Sequence, residues 1–246
     1  MRTFFCCLLI IGITTTTNGA DKSAPQRVFL LIGQSNMAGR AHLKAGDEAP
    51  IGNVQMLDDK GQWIPATNPL NRFATNRKTL SMQRIGPGFG FAQAMQKAWP
   101  DTSIALISNA RGGTRIDQWK KGGQLYDNML KRVTAVKGIR IDGILWHQGE
   151  GNRADKEYLA KLKLLIATLR KDFKNPQLPF VAGKIYGKGL VNKVFDELPK
   201  TIEHTGVANV DGLKVFDNVH FDRESQIKLG ERYAAAMLAL MKKKTK

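Results

Sequence analysis

Ser35 is the residue whose type and position best suit nucleophilic chemistry. It follows an apolar run rich in strand formers, residues 27–32, and lies in a turn that Gly33 opens. A serine at a helix N-terminus has free backbone N–H groups beside it, and these stabilise developing negative charge. Taken alone, however, Ser35 is better explained as a helix cap. The G-x-S-x-G pattern of a nucleophile elbow is also missing, because Met37 stands where the second glycine would be.

A serine nucleophile needs a base, and the sequence offers four histidines: His42, His147, His204 and His220. His220 has the best partner, because Asp217 three residues earlier could reach its Nδ1–H, fix the tautomer and stabilise the imidazolium. A surface histidine beside a turn aspartate explains the same pattern, and Asp222 is a competing but less well placed carboxylate. His42 and His204 have no partner pattern and are interpreted as surface residues.

An oxyanion would need donors in addition to the N–H of Ser35. Either glycine of the pair Gly112-Gly113 could supply one from its backbone, and the side-chain amide of Gln148 could supply another. A Gly-Gly pair after a strand also occurs in simple turns. His147 follows a predicted buried strand and lies close to Gln148 and Glu150. It could contact substrate, support the site, or be a hydrogen-bonded core residue.

Short apolar strands alternate with helical segments along the chain. Strands are predicted over residues 27–32, 54–57, 103–108, 141–146, 179–185 and 207–210. Helices are predicted over residues 88–99, 125–136, 154–173, 190–204 and 224–241, and a long surface loop over 58–88. This alternation predicts an α/β fold with a mostly parallel sheet covered on both faces and a ligand site beyond the carboxyl ends of the strands. The polar motifs follow the first, third and fourth strands, so they are expected at one edge of the sheet.

The chain has 246 residues, which suits a single domain over residues 21–246. Residues 1–20 have a short positive start, an apolar run and a small-residue end, which predicts a signal peptide rather than a membrane anchor. Cys6 and Cys7 lie inside that segment. Its removal leaves a mature chain without cysteine, which excludes disulfides and thiolate chemistry. We therefore expect a secreted or periplasmic protein without stable membrane insertion.

The formal charge is +17, and removal of residues 1–20 takes away only Arg2, which leaves +16. An excess of this size indicates affinity for polyanions, or lysines spread over solvated helix faces. The lysines do not cluster beyond the C-terminal tail, and no base-reading element is visible, so nucleic acid is not an expected partner. An acidic polysaccharide fits the predicted export better.

Four blocks of the sequence resemble the SGNH (GDSL-like) hydrolases, in the branch that holds sialate O-acetylesterases and carbohydrate esterase family six. They are Gly33-Gln34-Ser35-Asn36-Met37-Ala38-Gly39-Arg40, Gly112-Gly113-Thr114-Arg115-Ile116-Asp117-Gln118-Trp119, Trp146-His147-Gln148-Gly149-Glu150 and Asp217-Asn218-Val219-His220-Phe221. The blocks occur in the order of the family and span residues 33–221. Four blocks at these spacings are far more specific than any one of them.

The resemblance implies a three-layer α/β/α sandwich of the flavodoxin-like SGNH type. It implies Ser35 as nucleophile, His220 as base and Asp217 as the acid that orients it. The oxyanion hole would be formed by Ser35, a glycine of the second block (Gly113 rather than Gly112) and Gln148, which replaces the asparagine of the wider group. Substrate-binding or supporting positions are implied at Gln34, Asn36, Arg115, His147 and Glu150.

The expected function is a secreted carbohydrate O-acetylesterase that works through a serine acyl-enzyme without metal or organic cofactor. Its partner would be an O-acetylated carbohydrate, which the sequence does not specify further. The alternative is a non-catalytic, basic, secreted carbohydrate-binding protein on the same fold. The two differ in whether acetate is released.

Overall fold

A computed structural model describes residues 25–242 of the chain. The predicted signal peptide, residues 1–20, lies outside the described residues. One seven-stranded sheet forms the centre of the described part. Its strands are β1 (Arg27–Gly33), β2 (Val54–Leu57), β3 (Trp63–Pro65), β4 (Ile104–Ser108), β5 (Gly143–His147), β6 (Phe180–Gly183) and β7 (Thr205–Ala208).

The strand order is β3-β2-β4-β1-β5-β6-β7. Every neighbouring pair is parallel except β2 and β3, which form an antiparallel hairpin at one edge. If β2 and β3 are left out, the five remaining strands, in the order β4-β1-β5-β6-β7, follow the flavodoxin-like order 2-1-3-4-5. This order places a ligand site beside the first strand, at the point where the strand order reverses. The predicted mostly parallel α/β sheet is confirmed.

Helices cover both faces of the sheet, and β1 shows why. Along this buried strand, Leu30 and Ile32 point to one core, while Phe29 and Leu31 point to the other. This alternation follows from the two-residue repeat of a strand. The first core includes residues of α3 (Gln124–Thr134), α4 (Tyr158–Asp172) and α5 (Leu190–Thr201), and the second includes residues of α2 (Gly88–Ala98) and α6 (Arg223–Lys242). The result is the three-layer α/β/α sandwich.

Most predicted elements match within a few residues, with two informative differences. The predicted loop over 58–88 contains β3 and a 3-10 turn, Leu80–Met82. Helix α4 begins at Tyr158 rather than Ala154, because Glu150–Asn152 forms a separate 3-10 turn and Asn152 donates to Asp155. None of the helices within residues 25–242 is long and apolar enough to cross a membrane.

Candidate active site

The structure brings together the three residues predicted to be catalytic. Ser35 begins α1 (Ser35–Ala38), directly after β1, while Asp217 and His220 lie in the turn before α6. The His220 ring lies between its two partners, with Nε2 2.9 Å from Ser35 Oγ and Nδ1 2.6 Å from Asp217 Oδ2. A carboxylate, an imidazole and a hydroxyl in this order can deprotonate the serine.

The turn that carries Asp217 and His220 is shaped by its own hydrogen bonds. Asp217 Oδ1 accepts from the N–H groups of Val219 (3.2 Å) and His220 (2.7 Å), and Asn218 has a φ of 68°, a left-handed conformation that asparagine tolerates. Burial raises the pKa of Asp217, but the His220 ring and these N–H groups outweigh it, so the pKa lies below the usual value. The competing carboxylate, Asp222, instead accepts from the N–H of Ser225 in the first turn of α6.

Asn36 holds the segment around His220 against α1. Its Nδ2 donates to the carbonyl of Val219 at 3.1 Å, and its Oδ1 accepts from the N–H of Phe221 at 3.1 Å. The remaining polar partners of this fully buried amide are Glu150 Oε1, at 2.7 Å from Nδ2, and Gln226 Nε2, at 3.1 Å from Oδ1. Since Asn36 bonds both chain neighbours of His220, it fixes the segment that carries this ring.

The backbone beside Ser35 belongs to Gly112 rather than Gly113. A Cβ on Gly112 would lie 3.3 Å from Ser35 Cβ and 2.6 Å from Arg40 Nη2, whereas a Cβ on Gly113 would approach only Lys78. The geometry therefore does not favour Gly113, the choice made from the sequence, and moves the preference to Gly112. The backbone N–H groups of Ser35, Gly112 and Gly113 donate to no acceptor within residues 25–242, so they are available to an oxyanion.

Gln148 does not fit the predicted role of an oxyanion donor. Its side chain is fully buried, and the two hydrogens of its Nε2 are shared among Asn152 Oδ1 (2.9 Å), the carbonyl of Thr114 (3.0 Å) and Gln34 Oε1 (3.3 Å). Its Oε1 accepts from Tyr158 Oη at 2.8 Å. These contacts occupy both the nitrogen and the oxygen of the amide. They connect Gln148 with the loops that carry Gln34, Thr114 and Asn152. Gln34 takes its place as the candidate donor, since its Nε2 has no acceptor among the described residues.

The other predicted positions support the site from behind or from its edge. His147 is fully buried, and its Nε2 lies 3.6 Å from Glu150 Oε1, whose side chain is 5% exposed. Exposed Arg115 donates to the carbonyl of Gly151 and therefore ties the second block to the third. We call the buried set Asn36, His147, Gln148 and Glu150 the floor of the site.

The exposed edge near Ser35 is cationic and partly apolar. Arg40 Nη1 donates to the carbonyls of Gly39 and Met82, and Arg40 forms no salt bridge within residues 25–242. Burial and the Arg84 guanidinium lower its pKa. Phe216, 47% exposed, stacks on the His220 ring with centroids 6.0 Å apart. We call the set Arg40, Lys78, Met82 and Phe216 the rim of the site.

Sequence reasoning missed several residues that complete this arrangement. Tyr233 contacts His147 from α6, and Gln226 contacts Asn36 from the same helix. Both were assigned only to a helix, because helical spacing does not show which polar residue points inward. Arg40 stands in the first block, and no role is predicted for it from the sequence. An arginine within five residues of the proposed nucleophile could have signalled it.

No three His, Cys, Asp or Glu side chains cluster as a metal site in the part of the chain that the structure describes. The polar groups around Ser35 are the His220 imidazole in contact with it, the free backbone N–H groups of Ser35 and Gly112, and the Arg40 guanidinium beside Gly112. They can move a proton, stabilise an oxyanion and bind an anionic group.

Comparison with known proteins gives a consistent match over most of the chain. The family described as carbohydrate esterase, sialic acid-specific acetylesterase, matches residues 25–239. A probable carbohydrate esterase of Arabidopsis thaliana is 31% identical over 254 residues, which cover 91% of this chain and 96% of that protein. Its X-ray structure superposes with a TM-score of 0.78 at 29% identity and covers 88% of this chain and 99% of the plant chain.

Two more distant structures share the fold. NanS superposes with a TM-score of 0.71 at 14% identity, over 89% of this chain and 99% of its own. A carbohydrate acetylesterase from Xanthomonas citri superposes with a TM-score of 0.61 at 18% identity, over 87% of this chain and 56% of its own.

Proposed function

Since the chain belongs to the sialic acid-specific acetylesterase family of carbohydrate esterases, we propose that it removes acetyl groups from sugars with Ser35 as nucleophile. The observation that carries the proposal is the continuous contact from Asp217 through His220 to Ser35, at 2.6 Å and 2.9 Å. A carbohydrate-binding protein that does not catalyse has no need of this alignment.

The mechanism follows from where the protons lie. The ionised Asp217 carboxylate accepts from Nδ1–H of His220, which leaves the Nε2 lone pair facing the Ser35 hydroxyl. Nε2 takes the hydroxyl proton as Oγ attacks the acetyl carbonyl, and the imidazolium then protonates the departing sugar oxygen. Water, deprotonated by His220, hydrolyses the acetyl-serine and releases acetate.

The tetrahedral oxyanion would be stabilised by the free N–H groups of Ser35 and Gly112, with the Gln34 amide as the side-chain donor. Each such donor contributes about 100- to 1000-fold to kcat. Gln148 holds Gln34 in place by donating to its Oε1 at 3.3 Å. Loss of the Gln34 amide should therefore lower kcat directly. Loss of Gln148 should lower kcat indirectly, by displacing the loops that it connects.

The rim supports an acidic glycan as the preferred substrate. Arg40 and Lys78 place two cations beside the second block, and neither forms a salt bridge within residues 25–242. A carboxylate or sulfate on the acetylated sugar would meet these charges. Phe216 and Met82 offer apolar surface for the sugar ring. The charge of +17 over the whole chain suits a polyanionic substrate as well.

The decisive experiment measures acetate release from a panel of neutral and acidic acetylated glycans. Wild-type protein should release acetate, and Ser35→Ala should release none while keeping its circular dichroism spectrum and melting temperature. Ser103→Ala is the matched control, because Ser103 precedes β4 at the opposite end of the sheet. Full activity of Ser35→Ala would overturn the mechanism. Glycan retention without acetate release would favour the binding-protein alternative.

We further propose that residues 1–20 direct export to the periplasm or the medium. Expression of the full chain in a bacterial host, followed by N-terminal sequencing of the exported protein, tests this. A mature N-terminus near Asp21 is expected. Retention of the intact chain in the cytoplasm would contradict it.

A further inference from the structure

Two side chains of the floor carry polar atoms that the triad does not use. His147 is 0% exposed and Glu150 is 5% exposed at the side chain, and His147 Nε2 lies 3.6 Å from Glu150 Oε1. Both His147 Nε2 and Glu150 Oε2 are buried without a hydrogen-bond partner in the described part of the chain. Unpartnered buried polar atoms are costly, so two such atoms on side chains that lie in contact call for an explanation.

The tautomer of His147 follows from its other nitrogen. Tyr233 has one hydroxyl hydrogen, which it donates to the carbonyl of Trp146 at 2.7 Å. Nδ1 of His147, at 3.0 Å from Tyr233 Oη, must therefore donate to that oxygen. Gly183 leaves space for this contact, since a Cβ there would lie 2.0 Å from Tyr233 Oη and 2.5 Å from His147 Nδ1. With a proton on Nδ1, a neutral ring would point the Nε2 lone pair at Glu150.

Glu150 is ionised in this arrangement. Burial raises its pKa, but His147 and the Asn36 amide outweigh burial and bring the pKa below its ordinary value. The other titratable groups near the pair are Tyr233 from α6 and Tyr158 from α4, and burial raises the pKa of both phenols. A bare lone pair on His147 Nε2 would face the Glu150 carboxylate at 3.6 Å, so this contact favours a proton on Nε2 as well as on Nδ1.

Asn36 links this pair to the catalytic base. An asparagine amide can be placed in two orientations with nearly the same shape. A carboxylate can only accept, so Glu150 selects the orientation in which Nδ2 faces it at 2.7 Å. The same orientation gives the carbonyl of Val219 a donor and the N–H of Phe221 an acceptor. The reverse orientation would lose both bonds to the chain neighbours of His220.

We propose that ionised Glu150 and protonated His147 form a buried ion pair that sets the orientation of Asn36 and so positions His220 against Ser35. The inference rests on the proposed function, since it assigns positioning residues to that same triad. Neither side chain touches the substrate or the reacting atoms in this arrangement. The pair acts through Asn36 on the geometry of proton transfer.

Glu150→Met tests the proposal, because it keeps the length of the side chain but removes both the oxygen that accepts from Asn36 Nδ2 and the charge beside His147. A displaced base should lower kcat at least about ten-fold and leave KM within about two-fold, since misplacement by an ångström costs as much as a hundred-fold in rate. Glu231→Met, on the exposed side of α6, is the matched control and should keep wild-type kcat. Wild-type kcat in folded Glu150→Met would overturn the inference while leaving Ser35 as nucleophile untouched.

A second measurement does not depend on turnover or on the folding of a variant. In ¹⁵N-labelled wild-type protein at neutral pH, both ring nitrogens of His147 should give imidazolium shifts. A neutral ring, protonated at Nδ1 alone, would overturn the ion pair even if the enzyme is fully active. Failure of the proposed function would appear differently, as wild-type acetate release by Ser35→Ala.

Discussion

The floor and the rim of the site differ in how their polar groups are satisfied. In the floor, Asn36 makes four hydrogen bonds and Gln148 uses both ends of its amide. In the rim, Arg40 and Lys78 form no salt bridge within residues 25–242, and Phe216 is half exposed. The difference fits the proposed mechanism, in which the floor fixes the geometry of the reaction and the rim binds the sugar. Changes in the floor should therefore alter kcat, and changes in the rim should alter KM.

The largest effect on kcat is expected for His220, the proposed base. His220→Ala removes the group that accepts the Ser35 proton, and kcat should fall by about 100- to 10,000-fold. His204→Ala is the control, because His204 directly precedes β7, the outermost strand of the sheet. Steady-state hydrolysis of an aryl acetate measures both. Unchanged activity in His220→Ala would contradict the assignment of His220 as the base.

Removal of the Asn36 amide should break the link between the floor and the base. Asn36→Ala leaves Glu150, Val219 and Phe221 without their partner, and unsatisfied buried groups cost about 1–3 kcal/mol of unfolding free energy each. Displacement of His220 should lower kcat by about 10- to 100-fold with little change in KM. Denaturant unfolding and kinetics on the same preparation separate the two effects. An increase in KM alone would place Asn36 in substrate binding instead.

Changes in the rim should act on substrate choice. Arg40→Gln removes a cation beside Gly112, so KM for an acidic acetylated glycan should rise about ten-fold, the scale of one charge-assisted hydrogen bond. KM for a neutral acetylated glycan should change little. Arg140→Gln, in the segment before β5 at the other end of the sheet, is the matched control. Equal losses on both substrates would contradict the acidic preference.

The smallest effect is expected for the aromatic part of the rim. Phe216→Ala removes an exposed ring on which a sugar can pack, and KM for an oligosaccharide should rise about three-fold. KM for a small aryl acetate should change less, since that substrate does not extend over the ring. Leu164→Ala, an exposed apolar residue of α4, is the control. A kcat loss with unchanged KM would show that stacking on His220 matters more than the sugar.

The sequence predicted the layered α/β fold because buried strands and amphipathic helices leave clear apolar patterns. It also predicted which loops meet, since parallel strands end at one edge of the sheet. The sequence does not show the direction of individual polar groups. Block position suggests Gln148 and Gly113 as oxyanion donors, but the Gln148 side chain points inward to Tyr158, and Gly112 rather than Gly113 lies against Ser35. β3 is not visible in the sequence because a three-residue edge strand that ends at a proline carries almost no periodic pattern.

The separation of Ser35 from His220 by 185 residues has a consequence for biosynthesis. The proposed nucleophile leaves the ribosome well before the proposed base and the acid that orients it, which emerge together. A nascent chain that stops short of residue 217 carries the serine and the glycine loop but not the proposed base. Under the proposed mechanism, hydrolytic competence therefore requires the turn with Asp217 and His220 to dock on α1.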